Sequence, residues 1–294
     1  MLVSVGDVRL FVDVDGPKLV PDGASMLERP TIVFLHGGPG GDHTLYKAWC
    51  APLAEVAQLV YYDHRGNGRS DDGPRERWNL DQWADDLPAL CNALGIERPI
   101  VLGSSFGGIV ALNYAIRHPQ HPARLVLIST RAHTNLERIF AAFARLGGAE
   151  VRAVAERGFT NPTPEHLEAY LRVCLPLYNQ RPLPAELLAR VTQRDEVSLH
   201  FTREEELQFD YRGRLGAIQC PVLLLSGELD PAVPIEDAEE LAAELPPERL
   251  RFVRFADAGH MLAAEQPEAV LSLIREFVLE ESGEAAAASA TLTA

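Results

Sequence analysis

Basic side chains are the scarce class in this chain: 27 lysines and arginines stand against 42 aspartates and glutamates, a formal charge of -15 at neutral pH. That balance argues against a nucleic-acid partner and against an anionic membrane surface, since both attract basic patches. Cysteine is scarce too. Cys50, Cys91, Cys174 and Cys220 lie far apart, with no C-x-x-C pair and no nearby histidine pattern. Neither a disulfide framework nor a zinc site is expected, and a reducing cytoplasm fits best. No apolar run is long enough to span a membrane. The opening MLVSVGDVRLFVDVDG lacks the basic start and apolar centre of a signal peptide; it alternates apolar and polar residues around Gly6-Asp7, which predicts a hairpin.

What is abundant is apolar residue, 47% of 294, enough for one large core carrying an inserted subdomain. Short apolar runs recur: TIVFLHG (31–37), LVYYD (59–63), IVLGS (100–104), LVLIS (125–129), VLLLSG (222–227) and LRFVRF (250–255). Nearly continuous apolar strands suit a parallel sheet buried on both faces. Between them lie helical patterns at 80–95, 107–119, 235–245 and 267–281, so the expected core is a doubly wound, mostly parallel α/β sheet spanning 1–130 and 217–281. One interval, 131–216, carries only amphipathic segments and turn signals such as NPTP and NQRPLP. It predicts an all-helical cap whose place in the order lets it sit over the carboxyl ends of the strands, where open α/β sheets bind ligands. The closing SGEAAAASATLTA (282–294) has no apolar face and reads as a flexible tail.

The stretch VLGSSFGGIV (101–110) sets two serines among glycines. In a sharp strand-to-helix turn that exposes a nucleophile, the residues two before and two after must be small, because their backbones pass closely. Centring on Ser105 puts Gly103 and Gly107 there; centring on Ser104 puts Leu102 and Phe106 there, which would collide. Ser105 is the candidate nucleophile. A serine hydroxyl needs a positioned base, itself oriented by an acid. Asp230 follows one buried strand in LLLSGELDPAVP and His260 follows the next in VRFADAGHMLAAEQP. Ser, Asp, His is the chain order this turn type carries. Glu228 is the rival acid, nearer the strand end. HGGPGG (36–41), directly after TIVFL, lets bare backbone approach a substrate, and the amides of Gly38 and Phe106 are the expected oxyanion donors.

HGGPGG, DHRGNGRS (63–70), GSSFGG, GELDP and AGH, in that order, resemble α/β-hydrolases of the prolyl aminopeptidase-like branch over roughly residues 30 to 280. The resemblance implies a cofactor-free and metal-free triad of Ser105, Asp230 and His260, Gly38 and Phe106 as oxyanion donors, and Asp63 with Arg65 as a pair bracing the loop near the site. True aminopeptidases of this branch hold the substrate ammonium with a carboxylate directly after the triad aspartate, joined by one from the cap. Here the first position is Pro231; Glu204, Glu205 and Glu206 in FTREEELQF point in different directions on a helix, so at most one or two could face a site, and a solvated acidic face is the expected reading. The expected function is hydrolysis of an ester, lactone or amide of a small acyl substrate. Release of N-terminal residues from short peptides is the alternative, and ligand binding without catalysis is a remote one. A carboxylate-nucleophile mechanism is disfavoured because the turn holds Ser105 rather than Asp.

Overall fold

The computed structural model describes residues 1–280; residue 281 and the expected tail at 282–294 lie outside them. Strands β1 (Leu2–Val5) and β2 (Val8–Asp15) form the opening hairpin, and β5 (Thr31–Leu35), β6 (Gln58–Tyr62), β7 (Ile100–Ser104), β8 (Arg124–Ile128), β9 (Val222–Gly227) and β10 (Leu250–Phe255) carry the predicted apolar runs. They build one sheet in the order β1-β2-β6-β5-β7-β8-β9-β10. The β1–β2 and β2–β6 pairings are antiparallel and the rest are parallel. A second hairpin, β3 (Leu19–Asp22) with β4 (Ser25–Glu28), stands apart from this sheet and exposes Leu19, Met26 and Leu27.

Period-2 geometry sorts the apolar runs into two cores. Val33, Leu35, Val101, Leu125, Leu127 and Leu224 face α2 (Leu80–Leu94) and α3 (Phe106–Arg117), whereas Ile32, Phe34, Leu102, Val126, Leu223 and Leu225 face α1 (Thr44–Cys50) and α10 (Pro267–Leu279). Asn79 caps α2 by accepting from the Gln82 amide at 2.8 Å, and Gly95, at φ 66°, ends it. Between β8 and β9 the chain forms helices: α4 (Leu136–Thr160), bent at Gly148, then α5 (Pro164–Val173), α6 (Ala185–Leu188) and α7 (Asp195–Glu204). α8 (Ile235–Glu244) and α9 (Leu262–Glu265) complete the described helices. The inserted helices hold a small core of their own around Ile139, Phe140, Phe143, Ala155 and Cys174. None of the described helices is long and apolar enough to cross a membrane, and the four cysteines are buried and free.

The parallel register brings Leu35, Tyr62, Ser104, Ile128, Gly227 and Phe255 to one edge of the sheet. The loops leaving that edge are tied down by buried polar contacts. Asp63 receives the His43 amide at 3.0 Å, the His43 ring at 2.7 Å and the Arg69 amide at 2.8 Å. Arg65 instead forks onto Asp86 of α2, at 2.9 and 2.8 Å, and reaches Asp7 at 2.9 Å. Asp63 and Arg65 therefore brace the loop separately rather than as a pair. The amide of Asp63 still bonds β2, at Phe11, and the chain leaves the sheet directly after it, so the two side chains diverge. Beneath the same loops His36 points Nδ1 at the Gly37 carbonyl, 2.7 Å away, and Nε2 accepts the His64 amide at 3.1 Å. The His64 ring packs among His36, Tyr62 and Phe106. Burial pushes both imidazoles below the usual histidine range, well below it for His64.

Two predictions follow from these contacts. Arg65→Met leaves Asp86 buried with Gln82 alone as a side-chain partner, and loss of one partner of a buried pair costs about 3–5 kcal/mol. Urea unfolding measures it, and the double variant Arg65→Met/Asp86→Leu should recover most of the loss; a deficit below about 1 kcal/mol for the single variant refutes the role. The second concerns acid. Burial makes His36, and more strongly His64, harder to protonate in the folded chain, whereas both take up protons in the unfolded chain below about pH 6.5, so stability falls as pH drops through that point. The slope approaches about 1.4 kcal/mol per pH unit for such a histidine below that point, so His64→Phe should reduce the loss measured between pH 6.5 and 5.5 by about 1 kcal/mol. An unchanged slope in the variant counts against a neutral His64.

Candidate active site

Ser105 sits between β7 and α3 with φ 55° and ψ -122°, a conformation that non-glycine residues avoid and that close packing has to enforce. The enforcement is visible. A Cβ at Gly107 would run into the Leu35 and His36 carbonyls, and one at Gly103 into the Gly107 carbonyl. The Ser105 amide donates to Ile128 at 2.9 Å, and its carbonyl accepts the Thr130 hydroxyl at 2.9 Å. Ser104 remains in β7 and is buried, so the turn presents Ser105, as the glycine spacing requires. Phe106 opens α3, so its N–H has no intrahelical acceptor, and the helix dipole adds positive potential at that point.

Ser105 lines a cavity of about 30 Å³ together with Gly38, Phe106, Thr130, Arg131, Phe201 and Glu206, among others. That is room for about one or two waters. The nucleophile candidate thus shares one pocket with both expected oxyanion donors, and with side chains from the inserted helices.

Asp230 and His260 meet where β9 and β10 end. Asp230 Oδ1 accepts the Ala232 and Val233 amides at 2.8 and 2.9 Å, which turns Oδ2 toward His260 Nδ1, 2.6 Å away. The imidazole is thereby oriented with Nδ1 occupied and Nε2 left to act as a base. No hydrogen bond joins the Ser105 hydroxyl to the His260 ring; nucleophile–base contacts of this kind commonly tighten only when substrate binds. The two residues are nonetheless linked through the segment just past β8: Ser129 donates to the His260 carbonyl at 2.8 Å, one residue before the Thr130 that holds Ser105. Glu228, the rival acid, turns away to Arg254 at 2.9 Å.

The insertion supplies contacts that spacing along the chain did not reveal. Tyr178 sets its ring edge against His260, with centroids 4.9 Å apart, and its carbonyl accepts the His260 amide at 2.7 Å. Arg131, just past β8, donates to the Ala232 carbonyl at 2.7 Å and pairs with Glu206. Glu206 also accepts the Thr134 hydroxyl at 2.6 Å. The solvated-face reading of the three glutamates is corrected here: Glu204 is exposed, Glu205 is half-buried and accepts the Leu80 amide at 3.0 Å, and Glu206 is buried in the pocket wall. α7 ends at Glu204 and the chain then turns, so helical periodicity does not decide where residue 206 points. Among the described residues no group of three or more His, Cys, Asp or Glu could hold a metal ion.

The alpha/beta hydrolase fold family model matches residues 30–267. The chain is similar to RutD of Caulobacter sp. (strain K31), a candidate carbamate hydrolase, with 30% identity over 276 residues, 93% of this chain and 98% of the relative. It is also similar to the proline iminopeptidase PfmaB of Pestalotiopsis fici, at 26% identity, covering 91% of this chain and 98% of the relative. In solved structures, a proline iminopeptidase of Mycobacterium smegmatis superposes with a TM-score of 0.74 at 26% identity, covering 95% of this chain and 97% of the other. On the family match and these relatives together, the chain belongs to the α/β-hydrolase fold family.

Proposed function

We propose that the chain is a serine hydrolase that cleaves an ester, lactone or amide of a small acyl substrate through an acyl-enzyme. The observation that carries the reading is the Asp230–His260 bond, which leaves Nε2 as the free basic nitrogen at the sheet edge that also bears the strained Ser105. Ser105 Oγ attacks the carbonyl carbon while His260 Nε2 accepts its proton, and the carbonyl oxygen, now negative, is met by the amides of Gly38 and Phe106. His260 then gives the proton to the leaving group. Water repeats the sequence on the acyl-Ser105 ester, releasing the acid and restoring the hydroxyl. The small cavity favours a short acyl group. A carbamate, the substrate class in the name of the RutD relative, is cleaved by the same steps.

A second reading, removal of N-terminal residues from short peptides, is favoured by Glu206. Both of its hydrogen bonds fall on Oε1, which leaves Oε2 for a ligand cation beside Ser105. Against it stands Pro231, uncharged where aminopeptidases of this kind hold a carboxylate.

Ser105→Ala should lower turnover of a p-nitrophenyl ester by about 10⁴-fold or more and abolish labelling by a fluorophosphonate; undiminished turnover refutes the assignment. For the second reading, alanyl and prolyl amides with a free amine should outrun their N-acetyl forms, and Glu206→Gln should erase that preference. Equal rates on free and blocked amines remove it.

A further inference from the structure

One helix of the insertion touches both halves of the expected oxyanion hole. At its start, the Arg194 amide donates to the Gly40 carbonyl at 2.7 Å, and the Ser198 hydroxyl donates to the Pro39 carbonyl at 2.7 Å. Gln193 donates to that same hydroxyl at 3.1 Å, orienting it. The loop is gripped from the other side too, where the Gly40 amide donates to Asn67 Oδ1 at 2.7 Å. One turn further along α7, Phe201 sets its ring edge-on to Phe106, with centroids 5.1 Å apart. Residues 194, 198 and 201 share one face of the helix by their i, i+4, i+7 spacing. Pro39 is the neighbour of one expected donor, Gly38, and Phe106 is the other.

Gly40 shows how close this fit is. Its φ is 88°, and a Cβ there would run into the Ser198 hydroxyl and the Arg194 carbonyl. In the HGGPGG loop this glycine is thus small to admit α7 rather than substrate. On the serine-hydrolase reading above, we infer that α7 sets the spacing of the oxyanion hole, and that Ser198 is a positioning residue acting through Pro39 on the Gly38 amide. The Ser198 hydroxyl is buried at the loop and absent from the cavity wall, so it acts without touching substrate.

The test compares Ser198→Ala and Ser198→Thr with the unaltered chain, reading steady-state turnover of a p-nitrophenyl ester, inhibition by an arylboronic acid and the thermal unfolding midpoint. The boronate forms an anionic tetrahedral adduct on Ser105 and so reports the oxyanion hole directly. Ser198→Ala should lower kcat about tenfold or more with KM within about twofold, because small displacements of catalytic groups are costly to rate. Boronate affinity should fall in proportion, the midpoint should hold within a few degrees, and Ser198→Thr, which keeps the donor, should restore both readouts. Unchanged kcat and boronate affinity in Ser198→Ala overturn the inference. So does a loss that tracks a collapsed midpoint and is not rescued by threonine, since that marks a scaffold role alone. Ser105→Ala separates the two readings: if it abolishes turnover while Ser198→Ala changes nothing, only the positioning role fails. If it leaves turnover intact, the hydrolase mechanism itself fails.

Discussion

The contact on which the rest depends is between backbones: α3 lies so close to β5 that the Cα of Gly107 rests on the carbonyls of Leu35 and His36, with no room for a methyl group. That closeness forces the chain through a left-handed turn at Ser105, and the strain of the turn is sustained only because the sheet and helix are both fully buried around it. Several features then follow from one constraint. The serine side chain is lifted off the strand, the first amides of α3 are left without intrahelical acceptors, and the HGGPGG loop leaving β5 is brought over the turn. Nothing about the chemistry of serine produces this; two hydrogen atoms in place of side chains do.

The second constraint is the parallel register. Because six strands end on one edge, residues as far apart as 63, 105, 131, 230 and 260 meet there, although sequence separates them widely. Buried carboxylates at this edge are satisfied by loop amides: Asp230 by two that follow it, and Asp63 by those of Arg69 in its own loop and His43 in the neighbouring one. Each carboxylate is thus oriented before a ligand arrives, and hydrogen bonding offsets the desolvation of burying it.

Much of this was legible from pattern. The six buried strands announced themselves as apolar runs, and α2, α3, α8 and α10 as 3.6-period stretches, because burial on two faces or one leaves a periodic trace. Ser105 was separable from Ser104 because only one register of the turn has glycines where backbones cross. The β3–β4 hairpin left no such trace, since its apolar residues are exposed, although Asp22-Gly23 was a turn signal. α1 was too short to show a period. Arg131 and Glu206 could not be paired from sequence, because 75 residues separate them and their meeting depends on how α7 turns at its end. The position of Arg131, just past a strand at the binding edge, was the one available clue. Asp63 and Arg65 illustrate another limit: the family resemblance implied a pair, and the chain's departure from the sheet after Asp63 gives each its own partners.

The pocket wall carries a consequence for how substrate is chosen. Arg131 and Glu206 are buried together beside Ser105, and a paired charge within a low-dielectric wall contributes little to stability compared with apolar residues of the same size. What such a pair supplies is direction: Glu206, which lines the cavity, is held by Arg131 and Thr134 through one oxygen, which leaves the other without a hydrogen-bond partner among the described residues. On the hydrolase reading proposed above, a substrate with a donor in reach of that oxygen would gain a hydrogen bond that one without it could not make. The cavity beside Ser105 is small, about 30 Å³, and α7 lies against the loop that borders it through the Ser198 bond to Pro39. On that same reading, a shift of α7 that slackens Pro39 and Gly40 would loosen the Gly38 amide, so the pocket wall and the oxyanion loop are coupled through one helix.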